Sequence, residues 1–143
     1  MAEPSAERQP PEGFTLSRGR GPFSTRNGPF YDRRTERGIE RGLYVLDRHC
    51  NSFGLMHGGM IATFLDGLLA AQAYQASGKV GVTIQLSIDY LRMAREGEWL
   101  QGDAHATRQA GELVFVEGRV FTSVGDVARA HAIFKLMSRK RAV

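Results

Sequence analysis

The second half of the chain alternates apolar and polar side chains with the period of two that is typical of β-strands. In "VGVTIQLSIDYL", which begins at Val80, every second residue is apolar. One strand face is predicted to hold Val80, Val82, Ile84, Leu86, Ile88 and Tyr90. The opposite face is predicted to hold Thr83, Gln85, Ser87 and Asp89. In "VARAHAIFKLM" the same rule places Ala128, Ala130, Ala132, Phe134 and Leu136 on one face.

Further strands are predicted on both sides of these segments. "GPFYDRRTERGIERGLYVLDRHC" indicates two strands joined around Gly38, and "WLQGDAHATRQ" and "LVFVEGRVFTS" indicate two more, joined at Ala110 and Gly111. Connections this short predict an antiparallel meander.

A single long helix is predicted from Gly58 to about Gln75, and Gly78 follows as a stop signal. Its core-facing stripe consists of Met60, Ile61, Phe64 and Leu68. Because only this helix is available to cover the apolar face of the sheet, the sheet should curve around it. The fold class is therefore α+β.

The domain organisation follows from the position of the prolines, all five of which fall in the first 29 residues. Residues 1–27 are predicted to form a flexible N-terminal arm. Residues 28–138 form the folded domain, and residues 139–143 form a basic tail.

Composition narrows the function classes. The 143 residues include 42% hydrophobic and 24% charged residues and carry a net charge of +4, which suits a globular protein with anionic partners. The single cysteine excludes an intrachain disulfide, and no metal-ligand spacing is present. No signal peptide, membrane-spanning run or nucleic-acid motif is recognisable. We expect a cytoplasmic protein without a metal or cofactor that binds neither nucleic acid nor membrane.

Asp66 interrupts the helix on the side opposite its core stripe. The neighbours of the carboxylate are small, and no Lys, Glu or Arg occurs from residue 58 to residue 77. These neighbours are Gly59, Ala62, Thr63, Ala70 and Ala73. A helix that is apolar or small on all sides is buried on more than one side. Asp66 is therefore either an ordinary surface acid or a functional group in a closely approached face.

The helix start offers a second chemical feature. Gly58 and Gly59 leave backbone N–H groups open to approach at the positive end of the helix dipole. Such a site suits a developing oxyanion. His57, just before the helix, either orients this turn or donates a hydrogen bond.

The segments "NSFGLMHGGMIATFLD" and "VGVTIQLSIDYLRMA" together resemble the hot-dog-fold thioesterases of the phenylacetate-pathway (PaaI-like) type. The resemblance covers about residues 28–138. It implies a curved antiparallel sheet wrapped around one central helix, and it implies hydrolysis of an acyl-coenzyme A thioester.

The resemblance also implies roles for individual residues. Asp66 corresponds to the catalytic carboxylate, acting as general base or nucleophile, and Gly58 to the N–H that polarises the carbonyl. His57 supports that turn, Asn51 orients water or the carbonyl, and Thr83 contacts the carboxylate or water. In the family these residues come from two subunits of a dimer, and tetramers are common.

Three further residues are substrate-binding candidates. Gly59 lies at the helix start, Phe53 suggests an apolar acyl pocket, and Arg92 suits either coenzyme A phosphates or solvent. Aromatic and medium-length aliphatic acyl groups both fit such a pocket. Two alternatives to a thioesterase stay open, namely an acyl-thioester hydratase and a non-catalytic acyl-CoA-binding or regulatory protein.

Overall fold

The structure is a computed structural model that describes residues 8–18 and 20–138. The described residues form seven strands, two α-helices and a 3-10 turn at Asp47–His49. In chain order the elements are β1 Thr15–Leu16, α1 Gly21–Asn27, β2 Tyr31–Thr35, β3 Gly38–Tyr44, α2 Gly58–Ser77, β4 Gly81–Tyr90, β5 Trp99–Ala110, β6 Leu113–Thr122 and β7 Gly125–Leu136.

All seven strands belong to one antiparallel sheet with the order β1-β2-β3-β5-β6-β7-β4. Helix α2 connects β3 to β4 and carries the chain across the sheet, so β4 forms the edge beside β7. The helix packs against strands β3 to β7. The predicted α+β architecture, a curved antiparallel sheet around one central helix, is confirmed.

Helix α2 lies close to the sheet because small residues face it. The predicted stripe of Met60, Ile61, Phe64 and Leu68 is buried. At Gly118 of β6, a methyl group would lie 2.9 Å from the Leu69 Cδ2 atom, closer than side-chain atoms normally approach. The glycine therefore sets how near the helix can come.

One strand departs from the predicted alternation. In β4, Thr83 pairs with Phe134 and Gln85 pairs with Ile133, which leaves Ile84 as an extra residue in a β-bulge. The bulge reverses the alternation. Thr83 consequently faces the helix with Leu86, and not the polar side with Gln85 as predicted.

The N-terminal segment also differs from the predicted flexible arm over residues 1–27. Thr15 and Leu16 pair with β2, and helix α1 follows. Phe14 is buried and packs edge-on against Trp99 at 5.1 Å between ring centroids. Folded structure therefore begins before residue 28. Residues 1–7 and the predicted basic tail over 139–143 lie outside the described residues.

Helix α1 is fastened to the 3-10 turn at its C-terminal end. The Nε2 atom of the buried His49 lies 2.6 Å from the Asn27 carbonyl oxygen, and Arg48 donates to the Gly28 carbonyl. The His49 Nδ1 atom accepts the Leu46 N–H at 3.0 Å. This pair of contacts requires a neutral ring that carries its proton on Nε2. Burial, together with the nearby Arg48 charge, lowers the pKa of His49.

The neutral state of His49 predicts a pH-dependent stability. Because the folded-state pKa lies below the ordinary value of about 6.5, the unfolded chain binds this proton more readily. The stabilisation is complete above about pH 6.5 and is lost as the pH falls, by at most about 1.4 kcal/mol per pH unit. Urea unfolding of the wild type between pH 7.5 and pH 5 should show a steeper loss than the His49→Gln variant, which lacks the titrating ring.

An exposed residue of β5 without a titratable group provides the control for this measurement. Gln109→Ala should retain the wild-type dependence of unfolding free energy on pH. An equal slope for the wild type and His49→Gln would show that the buried ring does not couple folding to protons.

Candidate active site

Asp66 and Thr83 are in direct contact. The Thr83 hydroxyl donates to Asp66 Oδ1 at 2.6 Å, a short hydrogen bond from β4 to α2. The bulge at Ile84 makes this contact possible because it turns the Thr83 side chain toward the helix. Asp66 is half-buried and Thr83 is exposed, so the carboxylate is oriented by a hydroxyl and stays open to approach.

The start of α2 has one free backbone donor. His57 is the N-cap, and its Nδ1 atom accepts the Gly59 N–H at 2.8 Å. The N–H groups of Met60 and Ile61 donate to the His57 carbonyl. Within the described part of the chain, the Gly58 N–H has no hydrogen-bond partner. The helix dipole favours negative charge at this position, so Gly58, and not Gly59, is the available donor.

Tyr90 fixes the helix start from β4. Its hydroxyl donates to the Gly58 carbonyl at 2.7 Å. Sequence reasoning treated Tyr90 only as the last residue of an apolar strand face and missed this contact. The residue type could have indicated the contact, since the hydroxyl of a tyrosine at a strand end needs a hydrogen-bond partner.

Asn51 lies in the loop that precedes α2 and orders that loop. Its Oδ1 atom accepts the N–H groups of Phe53 at 2.9 Å and Leu55 at 3.2 Å. The side chain of Asn51 is exposed, and its Nδ2 atom has no hydrogen-bond partner among residues 8–18 and 20–138. The amide can therefore donate to a bound molecule without breaking a contact.

The two groups of site residues are separated along α2. Asp66 is eight residues after Gly58, which corresponds to about 12 Å along the helix axis. A carbonyl bound at the free Gly58 N–H is therefore out of reach of the Asp66 carboxylate of the same chain. The structure brings Asp66 together with Thr83, and His57 together with Gly58 and Gly59, but it does not join the two groups within one chain.

The remaining predicted binding residues lie apart from Asp66. Phe53 is 82% exposed at the tip of its loop. Arg92 follows β4, and its backbone N–H donates to the Val127 carbonyl. Its exposed guanidinium lines a shallow depression of about 280 Å³, to which Arg95 also contributes. Glu98 lines the same depression and accepts the Arg95 backbone N–H at 2.8 Å, so this surface presents two cations and one carboxylate.

A cavity of about 370 Å³ adjoins Asp66 on one side of α2. Its apolar wall is formed by Phe23, Phe30, Phe64 and Leu86, and its polar wall includes Arg20 and Arg41. Sequence reasoning missed both arginines, because one lies in the predicted arm and the other in a short polar strand. The cavity is thus open space directly next to the carboxylate.

Other reactive groups are engaged in structural contacts. Cys50 donates to the Leu46 carbonyl, and burial raises the pKa of its thiol, which disfavours the reactive thiolate. Both ring nitrogens of the adjacent His49 contact backbone groups, so the two residues do not form a nucleophile-base pair. The described residues contain no cluster of His, Cys, Asp and Glu suited to a metal ion. None of the described helices is long and apolar enough to cross a membrane.

Comparison with known proteins identifies the family of this chain. The family model described as the thioesterase superfamily matches residues 53–129, which include α2, the second part of the preceding loop and β4. A Pseudomonas aeruginosa protein named "Putative esterase PA0474" is 31% identical over 129 residues, which cover 88% of this chain and 96% of the relative.

Solved structures share the fold. A hypothetical thioesterase from Streptococcus pneumoniae with coenzyme A matches with a TM-score of 0.71 and 21% identity, over 79% of this chain and 91% of that chain. A variant of the phenylacetic acid degradation protein PaaI from Thermus thermophilus matches with a TM-score of 0.72 and 19% identity, over 81% and 100% of the respective chains. The family model and the full-length relative show that this chain belongs to the thioesterase superfamily and is a thioester hydrolase.

Proposed function

We propose that the protein is an acyl-CoA thioesterase in which Asp66 performs the chemistry. The observation that carries this proposal is the accessible Asp66 carboxylate, oriented by Thr83 at 2.6 Å beside a cavity. Coenzyme A in the structurally similar pneumococcal thioesterase supports the choice of thiol.

In the proposed reaction the thioester carbonyl oxygen accepts the Gly58 N–H at the positive end of α2. As general base, Asp66 takes a proton from water, and the water oxygen bonds to the carbonyl carbon. The negative charge that develops on the carbonyl oxygen is stabilised by the N–H and the helix dipole. The intermediate then collapses, the carbon–sulfur bond breaks, and the coenzyme A thiolate leaves and takes up a proton.

A nucleophilic role for Asp66 uses the same geometry. The carboxylate then attacks the carbon directly, and water hydrolyses the resulting anhydride. Both routes require neither a metal nor a redox cofactor. Thr83 serves both routes because it fixes the carboxylate orientation.

The proposed site combines two copies of the chain. Within one chain about 12 Å separate the free Gly58 N–H from Asp66. A single carbonyl can therefore contact both groups only if they come from two chains. One chain then supplies Asp66 and Thr83, and the other supplies Gly58, His57 and Asn51. Strand β4 is a sheet edge with unpaired backbone groups and exposed apolar side chains such as Ile84. Pairing of two such edges removes both. We therefore propose a homodimer with shared sites, which can assemble further into a tetramer.

The coenzyme A phosphates are proposed to bind at Arg92 and Arg95. These arginines line one depression at the end of β4, and arginine matches the geometry of phosphate oxygens. The net charge of +4 supports an anionic ligand. Gly59 and Phe53 stay substrate-contact candidates, since both are exposed and Gly59 directly follows Gly58 at the start of α2.

The first prediction concerns the carboxylate. Asp66→Asn removes its basicity and nucleophilicity while keeping its size, so turnover of a good acyl-CoA substrate should fall at least about 100-fold. The folded structure should persist, as checked by circular dichroism. Asp89→Asn, an exposed carboxylate on the same strand as Thr83, is the control and should stay active. A purified Asp66→Asn protein with near wild-type turnover would identify a different catalytic group.

A second prediction concerns the phosphate contact. Arg92→Ala should raise KM for acyl-CoA about three- to tenfold with little change in kcat, because the contact is the same in the ground state and the transition state. The KM of the wild type should also rise with salt, since salt screens surface charges. Arg34→Ala, an exposed arginine on β2, is the control. An unchanged KM in Arg92→Ala would remove Arg92 from the binding site.

A third prediction tests the shared site. Asn51→Ala and Asp66→Ala should each be nearly inactive alone. When they are co-expressed, a mixed dimer places both lesions in one site and leaves the other intact. Random mixing makes about half of the dimers mixed, so activity should recover to roughly a quarter of wild type.

The control for this experiment is a mixture in which every site is damaged. Co-expression of Asp66→Ala with Asp66→Asn should recover no activity. If proven mixed dimers of Asn51→Ala and Asp66→Ala stay inactive, each chain builds its own site and the arrangement across two subunits is wrong.

A further inference from the structure

Two arginines that line the cavity beside Asp66, the buried Arg41 and the partly buried Arg20, share the carboxylate of Asp32. Arg41 is 2% exposed and binds Asp32 through two hydrogen bonds, with Nε at 2.7 Å from Oδ1 and Nη2 at 3.1 Å from Oδ2. Arg20 shares the same carboxylate at 3.8 Å. One carboxylate therefore faces two guanidinium groups, and the cluster carries one positive charge in excess.

This cluster is short of compensating charge. Removing an ion from water is costly unless opposite charges and hydrogen bonds replace the lost hydration. Burial lowers the pKa of Arg20 and raises the pKa of Asp32. Asp66 also lines the cavity, but no ion pair joins it to Arg20 or Arg41 in the described residues, and its hydrogen bond is to Thr83.

One donor of the cluster is open toward the cavity. Within the described residues, Arg41 Nη1 makes no hydrogen bond, although Nε and Nη2 are both engaged by Asp32. A methyl group at Gly67 would lie 3.1 Å from this Nη1 atom and 4.0 Å from Nη2 of Arg20. The absence of a side chain at Gly67 therefore lets both guanidinium groups approach the helix directly after Asp66.

The open donor and the reacting carboxylate belong to residues that line the same cavity of about 370 Å³. Gly67, which lies 3.1 Å from Arg41 Nη1 when given a methyl group, directly follows Asp66 in the chain. An acyl group whose thioester lies at Asp66 can therefore place a terminal anion at Arg41 from inside this cavity. The apolar wall of Phe23, Phe30, Phe64 and Leu86 then packs against the connecting carbons.

We infer that the acyl group of the substrate carries a carboxylate at its far end, which pairs with Arg41 and Arg20 in this cavity. The substrate is then the monothioester of a dicarboxylic acid with a short apolar body. This inference rests on the proposed function, because it assigns the acyl half of the Asp66 site. Guanidinium groups suit the task since they present fixed N–H pairs to carboxylate oxygens.

The test compares substrates that differ only in the terminal carboxylate. The aliphatic pair is glutaryl-CoA and pentanoyl-CoA, and the aromatic pair is 4-carboxybenzoyl-CoA and benzoyl-CoA. In at least one pair the carboxylated member should have a kcat/KM at least about tenfold higher, the amount expected for one charged hydrogen bond. The pair that shows the preference identifies the body of the acyl group.

Variants then test whether Arg20 and Arg41 cause the preference for the carboxylated substrate. Arg20→Gln is the primary variant because this side chain is 22% exposed and its replacement disturbs the fold less than a change at Arg41. Arg41→Lys keeps the charge but loses the paired donors. In both variants the ratio of kcat/KM within the preferred pair should fall at least about fivefold. Arg33→Gln breaks the 2.7 Å ion pair with Glu40 on the opposite face of the same hairpin and should leave the ratio unchanged.

The outcomes separate this inference from the proposed function. If pentanoyl-CoA and benzoyl-CoA are hydrolysed at least as well as their carboxylated partners, the protein is a thioesterase and the inference is wrong. A carboxylate preference that survives Arg20→Gln in the folded protein also overturns the assignment. If neither these four nor other acyl-CoA substrates are hydrolysed, the proposed function fails and the inference fails with it.

Discussion

The burial of one face of α2 against the concave side of the sheet is the constraint on which the other features depend. Phe64, Leu65, Leu68 and Leu69 are fully buried in this contact, and each contributes about 1.5–3 kcal/mol of hydrophobic stabilisation. With the helix fixed, the free N–H at its start and the carboxylate two turns later have a fixed separation. Strand β4 then meets the helix at both places, through Thr83 at the carboxylate and Tyr90 at the helix start. Packing therefore determines the positions of the polar groups.

Periodicity in the sequence was sufficient to predict the helix, the strands and the layer arrangement, because burial on one face imposes those periods. It was insufficient at Ile84, since the extra residue of a bulge is as apolar as its neighbours and has no signature of its own. Strict alternation placed Thr83 on the polar face, whereas the family resemblance placed it beside the carboxylate. The bulge explains why the alternation pattern and the family resemblance disagreed about Thr83. A site residue can thus be identified correctly from the sequence although the predicted orientation of its side chain is wrong.

The N-terminal segment shows a different limit of sequence reasoning. Its prolines, glycines and charges are typical of an exposed arm, yet Phe14 and helix α1 pack on the domain. Arg41 is charged and nevertheless almost fully buried, because Asp32 on the neighbouring strand binds it with two hydrogen bonds. Such burial depends on a partner brought close by strand pairing, here Asp32 opposite Arg41. The hydropathy of the residues around Arg41 therefore does not indicate that this side chain is buried.

The attachment of α1 through backbone atoms determines which of its side chains can be replaced. Its C-terminal end is held by His49 and Arg48 through the backbone carbonyls of Asn27 and Gly28. Backbone acceptors are present whatever the side chains of the helix are, so the residues of α1 after Gly21, which has a φ of +87°, can change without loosening the attachment. The cavity wall contributed by Phe23 and Ser24 is thus uncoupled from the frame that holds the carboxylate. In evolution or by protein engineering, the side chains of this short helix can therefore change the substrate selectivity of the cavity. The residues proposed to carry out hydrolysis stay in place.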